Sequence, residues 1–247
     1  MKLGGNVAER VLLKLSGESL GGGKIGIDVG VLRHLAREVK AASDQGVQVA
    51  IVAGGGNFFR GKELSEAGFD RSRADYIGML GTVMNCLALA DILEQEGQTV
   101  RVQSAITMTQ VAEPYIPLKA IRHLEKGRVV ILGAGAGIPY FSTDTVAIQR
   151  ALELGCGKVM MGKNGVDGVY TLDPRKDPEA KKFSTLSYQR ALVDNLAVMD
   201  TSALSLARDN SMPIRVFGLE APDAVERVLL GEELGTLVGN CQTRIAE

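Results

Sequence analysis

Four charged side chains stand where this chain could do chemistry. Lys14 interrupts an apolar run, Val11-Leu12-Leu13-Lys14-Leu15, and is followed at once by Ser16-Gly17-Glu18. Arg60 follows a triple glycine in Gly54-Gly55-Gly56-Asn57-Phe58-Phe59-Arg60-Gly61. Asp144 comes just after Ser142-Thr143 at the start of a helical pattern, and Asp200 precedes Thr201-Ser202 in the same way. Each carboxylate alone reads equally well as a helix cap. Four Gly-rich segments give the set its meaning: Lys14–Gly17, Gly54–Gly61, Gly133–Gly137 and Gly162–Gly168. Glycine lets backbone approach a ligand closely, and the N–H groups of such turns hold phosphate. Cations and carboxylates among phosphate-cradling loops are what phosphoryl transfer with Mg²⁺ requires.

These loops need strands ahead of them and helices behind. Val11–Leu15, Val47–Ala53, Val129–Leu132 and Lys158–Met161 read as strands, each running into one of the four segments. Asp28 predicts an N-cap for a helix carrying Val31, Leu32, Leu35, Ala36 and Val39, with Gly46 as its stop. A long helix is expected from Ser72 to Glu96, ended by Gly97. A weaker strand follows at Val100–Val102, then a short helix from Pro117 to Gly127. Thr143 is expected to cap a helix to Leu154. Val169-Tyr170-Thr171 reads as an extended loop or hairpin. A helix from Thr201, a strand at Ile214–Phe217 and a helix opened by Pro222 complete the pattern. Strands alternating with helices predict an α/β fold with a largely parallel sheet and helices on both faces. Ligands of such sheets bind at the carboxyl edge of the strands, where all four Gly-rich segments would lie. The chain is expected to form one domain over 1–247. A looser division falls between Gly155 and Asp167, giving an acceptor half over 1–160 and a donor half over 161–247.

Composition narrows the function. The 247 residues carry a formal charge of -1, which excludes a broad polybasic surface for nucleic acid. Hydrophobic residues at 45% and charged ones at 23% exclude global disorder. Cys86, Cys156 and Cys241 are isolated, and His34 and His123 lie within helical patterns, so neither a disulfide framework nor a four-ligand zinc site is expected. Met1 to Gly5 shows no signal-peptide core, and the longest mildly apolar stretch, Val129 to Phe141, is broken by glycines and Pro139. A cytoplasmic protein with reduced thiols and no membrane span is expected. The 30 glycines exceed the roughly 17 of ordinary usage, and the surplus falls mainly in the segments above. No G-x-x-x-x-G-K-[ST] occurs, and Phe59 and Ile138 occupy the third-glycine positions of the two G-x-G runs. A P-loop kinase is thereby excluded, and a nicotinamide-dependent oxidoreductase is demoted.

At these residues the chain resembles the amino acid kinase superfamily, and within it the bacterial uridylate kinases. The resemblance rests on Lys14-Leu15-Ser16-Gly17-Glu18 and Gly54–Gly61. It continues through Asp75–Leu80, Gly135–Asp144 and Val166-Asp167-Gly168-Val169-Tyr170, then Asp173-Pro174 and Met199-Asp200. It runs from Arg10 to Leu237. It implies a three-layer αβα sandwich, a homohexamer, and transfer of phosphoryl from ATP to UMP with Mg²⁺ in pyrimidine nucleotide synthesis. It assigns ATP to Lys14, Leu15, Ser16, Gly17, Gly56, Arg60, Asn164, Tyr170 and Asp173, with Asn164 standing where some relatives have Thr. It assigns UMP to Gly55, Asp75, Ala136, Gly137, Ile138, Pro139, Tyr140, Phe141, Ser142 and Thr143, with Asp75 on the ribose hydroxyls. Lys14 would meet the transferring phosphoryl group, Arg60 would clamp phosphate oxygens, and Asp144 and Asp200 would orient Lys14 or Mg²⁺-bound water. No direct protein ligand to the metal is implied, since Mg²⁺ would be bound through the ATP phosphates.

The resemblance also implies regulation and assembly. Tyr76, Met79, Leu80, Val83, Met84 and Leu87 form an apolar stripe that packs between subunits in the family. Some members are activated by GTP and inhibited by UTP. The GTP-responsive ones carry basic residues late in the long helix, where this chain has Ala90 and Glu94, with Arg101 and Arg128 nearby. The loop Gly22, Gly23, Lys24, Ile25, Gly26 and Ile27 matches a segment tied to effectors. Two other readings stand beside this one: a kinase of the same fold acting on a small carboxylate or carbamate, and a nucleotide-binding regulator without turnover.

Overall fold

The computed structural model describes residues 9–59, 66, 68–196 and 198–246 of the chain. Among the described residues ten strands join in one sheet. They are β1 (Arg10–Leu15), β2 (Gln48–Ala53), β3 (Val100–Ser104), β4 (Glu113–Pro114) and β5 (Val129–Gly133), then β6 (Lys158–Lys163), β7 (Phe183–Ser187), β8 (Ile214–Gly218), β9 (Thr236–Gly239) and β10 (Arg244–Ile245). Their spatial order is β10-β7-β9-β8-β6-β1-β2-β5-β3-β4. The pairings are parallel except β8 with β9 and β10 with β7. The central run β6-β1-β2-β5 consists of the four strands that precede the Gly-rich segments, so those segments share one sheet edge.

Two apolar layers sandwich the sheet, as expected of a three-layer αβα fold. Val11, Leu13 and Leu15 of β1 face a layer made by α2 (Val29–Asp44), α3 (Arg71–Gln95) and α8 (Ala224–Leu229). Leu12 faces the other layer, made by α4 (Pro117–Leu124), α5 (Thr143–Leu154), α6 (Tyr188–Val193) and α7 (Thr201–Asp209). A strand alternates its side chains, so Lys14 points with Leu12 toward α5. A one-turn helix, α1 (Gly17–Leu20), bends the chain away after β1.

The caps explain where helices start. Asp28 accepts from Val31 N–H at 3.0 Å, and Asp70 accepts from Arg73 N–H at 3.0 Å. Helix α5 is capped by Ser142, which accepts from Thr145 N–H at 3.1 Å; Thr143, expected to be the cap, is instead the first helical residue. Helix α8 begins at Ala224 after Asp223, which takes a positive φ of 53°, rather than at Pro222. The chain after Asp173 is richer than expected: β7, β9 and β10 widen the sheet there, helix α6 follows β7, and Tyr170 bridges antiparallel to Lys182. These strands are short and mix apolar with polar residues, so period-2 patterning is weak in them.

Helix α3 corrects the expectation that no segment is long and apolar enough to span a membrane. An 18-residue window within it reaches a mean hydropathy of 1.6. In the fold it is a core helix, with Ala74, Met79, Val83, Cys86, Leu89, Ile92 and Leu93 buried. Its Gly, Thr and Asn residues broke the apolar run in sequence, yet Thr82 and Asn85 are buried too. Cys86, Cys156 and Cys241 are free thiols, the first two buried, and burial pushes both of those up to about 12.

Candidate active site

Lys14 and Asp144 meet at the centre of the sheet edge. Lys14 stands one residue before the end of β1, and Asp144 stands in the first turn of α5 above it, so that the ammonium and carboxylate are 2.8 Å apart. Lys14 is 8% exposed. Burial works to raise the Asp144 pKa, but the Lys14 charge and hydrogen bond, the nearby Lys163 charge and the Asp200 backbone N–H together hold it below the ordinary carboxylate value. Since Ser142 already caps α5, the capping alternative for Asp144 falls. Asp200 keeps its capping role, accepting from Ala203 N–H at 2.8 Å at the start of α7. The same carboxylate also accepts from the Ser142 hydroxyl and from Thr145 Oγ1 at 3.2 Å, joining the starts of α5 and α7.

A cavity of about 570 Å³ opens beside this pair. It brings together Gly55, Gly56, Asp75, Ala136, Tyr140, Phe141, Ser142, Thr143 and Asp200 from the expected set. Gly137, Ile138 and Pro139 belong to the same loop but do not line it. Asp75, in the first turns of α3, accepts from Arg71 Nε at 2.9 Å and from Tyr140 N–H at 2.9 Å. The Ser72 hydroxyl donates to the Tyr140 hydroxyl, and the Arg71 guanidinium lies 5.8 Å from the centroid of the Tyr140 ring. Thus α3 and the loop before α5 close on one another at Asp75. Gly56, expected on the ATP side, lies in this cavity with Gly55. Arg60 lies outside the described residues.

A second cavity, about 450 Å³, opens at the ends of β6 and the bridged Tyr170 segment. It contains Asn164, Tyr170 and Asp173, three residues of the expected ATP set, together with Lys163. Tyr170 donates to Asp167 at 2.6 Å, and that bond pushes its pKa up to about 12. Asp173 is held by the Arg175 side chain at 2.9 Å, and this bond keeps its carboxyl below the ordinary value. Leu15, Ser16 and Gly17 lie at the turn from β1 into α1, where Ser16 accepts from Ser19 N–H at 3.1 Å.

The glycines serve packing as well as ligand approach. A Cβ on Gly17 would come within 2.4 Å of Gly56 N, so the first two Gly-rich turns touch through bare backbone. A Cβ on Gly55 would meet the Gly78 carbonyl of α3 at 2.5 Å. Helix α3 fixes these turns further. Asn85 donates to the Gly54 carbonyl at 2.7 Å and exchanges hydrogen bonds with Asn57, which in turn donates to Gly26 O at 2.7 Å. Thr82 Oγ1 accepts from Ala134 N–H at 2.7 Å. Thr82, Asn85, Thr145 and Lys163 were not among the expected residues. The only sequence signal for Thr82 and Asn85 was a polar residue among the apolar positions of a long helix.

The residues expected at an effector site are not brought together. Gly22 and Gly23 adjoin His34 and Glu38 beside α2. Arg101 lines a different cavity with Asp91, Glu94 and Glu113. Arg128 reaches His123 Nδ1 at 3.0 Å. Lys24, Ile25 and Ile27 are exposed. Glu113 is surrounded: burial would raise it, but hydrogen bonds from Lys119, Gln103 and His123 bring it down to about 2.

Comparison with known proteins shows the family. The amino acid kinase family matches residues 9–218. The chain is 74% identical over 238 residues to the uridylate kinase of Bifidobacterium longum, covering 96% of this chain and 97% of that one. Its fold superposes on the crystal structure of UMP kinase from Bacillus anthracis with a TM-score of 0.93 and 41% identity, covering 97% and 99% of the two chains. The UMP kinase of Ureaplasma parvum gives 0.88 at 36% identity, covering 94% and 99%. The family match, the sequence identity and the superposition agree, and the chain belongs to the uridylate kinases of the amino acid kinase family.

Proposed function

We propose that this chain transfers the γ-phosphoryl group of ATP to UMP, giving UDP and ADP. The observation that carries the reading is the buried Lys14–Asp144 pair, which lines neither cavity itself but adjoins both through its neighbours. Thr143 and Thr145, on either side of Asp144, line the first cavity, while Lys163, within electrostatic reach of Asp144, lines the second. Two nucleotides bound in them would present their phosphates to one buried cation.

UMP is assigned to the first cavity. Asp75 would exchange its Tyr140 N–H and Arg71 partners for the ribose hydroxyls. The loop Ala136–Thr143 and Gly55 would enclose the base and phosphate. ATP is assigned to the second, with Asn164, Tyr170 and Asp173 around the nucleoside. The Lys14–Gly17 turn and Arg60 would face its phosphates, while Gly56, which lines the first cavity next to the Gly17 turn, would lie where the phosphates of the two nucleotides meet. The acceptor oxygen belongs to a phosphate whose second pKa is about 6, so it is ionised at pH 7 and no general base has to act. What remains for the chain is in-line positioning and charge stabilisation, with Lys14 on the transferring group.

Asp144 and Asp200 suit Mg²⁺ as hard oxygen donors adjoining through the Asp200 N–H. That set fits an ion held mainly by nucleotide phosphates and water, with carboxylates at its outer side. Bound there, Mg²⁺ supplies neutralisation of the donor's phosphate charge.

Assembly as a homohexamer is supported by Tyr76, Leu80, Met84 and Leu87, which leave an apolar stripe of α3 at the surface on the side away from its buried residues. UTP inhibition is supported at the acceptor cavity, which would accept its uridine. GTP activation has less support, because Arg101 shares its cavity with three carboxylates. A cytoplasmic setting fits the three free thiols. The division into an acceptor half and a donor half is looser than the two cavities, since Asp200 and Ser202 of the second half line the first cavity.

The test is ADP release from ATP·Mg²⁺ with UMP, CMP, dUMP and small carboxylates offered in turn. Turnover with UMP and none with carboxylates is expected. Turnover with a carboxylate alone, or none with any acceptor, would overturn the reading.

A further inference from the structure

We propose that Asn57 and Asn85 are positioning residues for the transfer step. Paired amide to amide behind the Gly54–Gly56 turn, they hold its backbone where the phosphates of the two nucleotides meet. The inference rests on the kinase reading above and adds two residues to it. The turn itself poses the problem. Three glycines give it no side chains to lock, and glycine backbone is the most costly to order. Side chains cannot be added. A Cβ on Gly54 would meet Gly17 N at 2.9 Å, and one on Gly55 would meet the Gly78 carbonyl oxygen at 2.5 Å. A turn so bare keeps one conformation when hydrogen bonds from outside offset its backbone entropy. Gly54 N–H donates to Leu15 O at 2.9 Å, which ties the turn to β1. Its carbonyl is taken by Asn85 at 2.7 Å, which ties it to α3.

The two amides form a closed set. Asn85 Nδ2 donates to Gly54 O and to Asn57 Oδ1, each at 2.7 Å. Asn57 Nδ2 donates to Asn85 Oδ1 at 2.9 Å and to Gly26 O at 2.7 Å. Every amide N–H has an acceptor, and each outer partner is a carbonyl. Turning either amide over would set oxygen against oxygen, so the pair has one arrangement. Asn57 is 3% exposed and Asn85 wholly buried, so water does not compete for these bonds. Neither asparagine lines the acceptor or the donor cavity. Their effect on the chemistry passes through the turn: Gly55 and Gly56 line the acceptor cavity, and Gly56 N abuts Gly17. The same pair holds a second segment. Gly26 N–H donates to Asn57 O at 2.9 Å, so Asn57 grips that residue by both its backbone groups.

The transfer step depends on this precision. An ionised oxygen of the UMP phosphate forms a bond to the γ-phosphorus. The bond from that phosphorus to the β,γ-bridging oxygen breaks, and its electron pair leaves on the β-phosphate of ADP. No proton has to move, so the rate rests on in-line approach and charge stabilisation. A misplacement of about 1 Å costs about 10²-fold in such a step. Without the amide pair the glycine turn samples other conformations. Both nucleotides still bind, but fewer of the bound complexes are in line, so kcat falls more than KM changes.

Asn57→Ala, Asn85→Ala and the double variant are the test, assayed for ADP release at a temperature where circular dichroism shows each folded. In each single variant kcat should fall about 10- to 10²-fold, with KM for UMP and for ATP·Mg²⁺ within about threefold of the parent. The double variant should be within about threefold of the slower single one, because the two amides act as a unit. Asn85→Asp adds a signature that a merely structural role would not move. Its ionised carboxyl cannot donate to Gly54 O, its protonated carboxyl can, and burial raises the pKa of a carboxyl placed there. The ratio of its kcat to the parent's should therefore climb as pH is lowered from about 8 to about 6. Where an alanine variant does not fold, Asn57→Ser or Asn85→Ser takes its place under the same criteria. A kcat within about twofold of the parent in both single variants overturns the proposal. So do losses that multiply in the double variant, a rise in both KM values with kcat unchanged, or a flat pH ratio for Asn85→Asp. Failure of the parent protein to phosphorylate UMP would instead sink the kinase reading, and it shows before any variant is assayed.

Discussion

Replacing Asp144 by Asn probes the centre of the site most directly. The substitution keeps the shape of the side chain and removes its charge. Lys14, 8% exposed, loses the carboxylate at 2.8 Å, and two ammonium groups, Lys14 and Lys163, remain without an anion between them. Breaking a buried pair from one side costs about 3–5 kcal/mol. For a chain of this size that corresponds to a fall in Tm of about 6–20 °C near neutral pH. The pH dependence has a definite sign. The Asp144 carboxyl titrates below its ordinary 3.8 in the folded chain, so its contribution is complete above that value and disappears as pH falls through the depressed folded value. The gap between parent and variant should therefore be full at neutral pH and shrink below 3.8. Adding Lys14→Met to Asp144→Asn should restore about 1–3 kcal/mol, because the uncompensated charge goes too. Urea and thermal unfolding followed by circular dichroism measure all of this, and a coupled assay should show kcat down about 10²–10³-fold. Equal melting temperatures at neutral pH, or a gap that persists unchanged into acid, would refute the reasoning.

Four further outcomes are expected. Lys14→Ala should lower kcat on the order of 10²-fold or more in the ADP-release assay, and a normal kcat would remove Lys14 from the chemistry. Asp75→Asn should raise KM for UMP by about tenfold with a smaller change in kcat, as initial rates against UMP concentration will show. Thr82→Val leaves the buried Ala134 N–H without its acceptor and should cost about 1–3 kcal/mol in urea unfolding. Leu80→Asp combined with Met84→Lys should break the assembly into smaller species by size-exclusion with light scattering; a parent chain that is already monomeric at micromolar concentration would defeat the oligomer reading.

Much of the fold was legible because its central strands are strongly patterned. Val11–Leu15, Val129–Leu132 and Lys158–Met161 are largely continuous apolar runs, as parallel strands covered on both faces must be. Glycine turns mark their ends, and Asp28 carries a cap signal that reads locally. The far edge was less legible. Strands β7, β9 and β10 are short and half polar, and they exist because pairing to neighbours distant in sequence satisfies their backbones. Helix α3 shows a further limit: its buried Thr82 and Asn85 interrupt the apolar pattern, yet they are what bind the turns at Ala134 and Gly54.

The chemical inventory could be read from the residues alone. A lysine in an apolar strand is expensive to bury, so Lys14 announced itself, and the Gly-rich turns told of phosphate by composition and position. Which charge meets which was settled by packing. Asp144 and Asp200 both stood at helix starts and shared the capping alternative, and only the crossing of α5 over β1 made one the partner of Lys14 and left the other as a cap joined to Ser142 and Thr145. Lys163 was silent in sequence because a lysine at a strand end is ordinary. Its position became informative once register placed it beside Lys14 on the same face, where a low local dielectric makes each unpaired charge count.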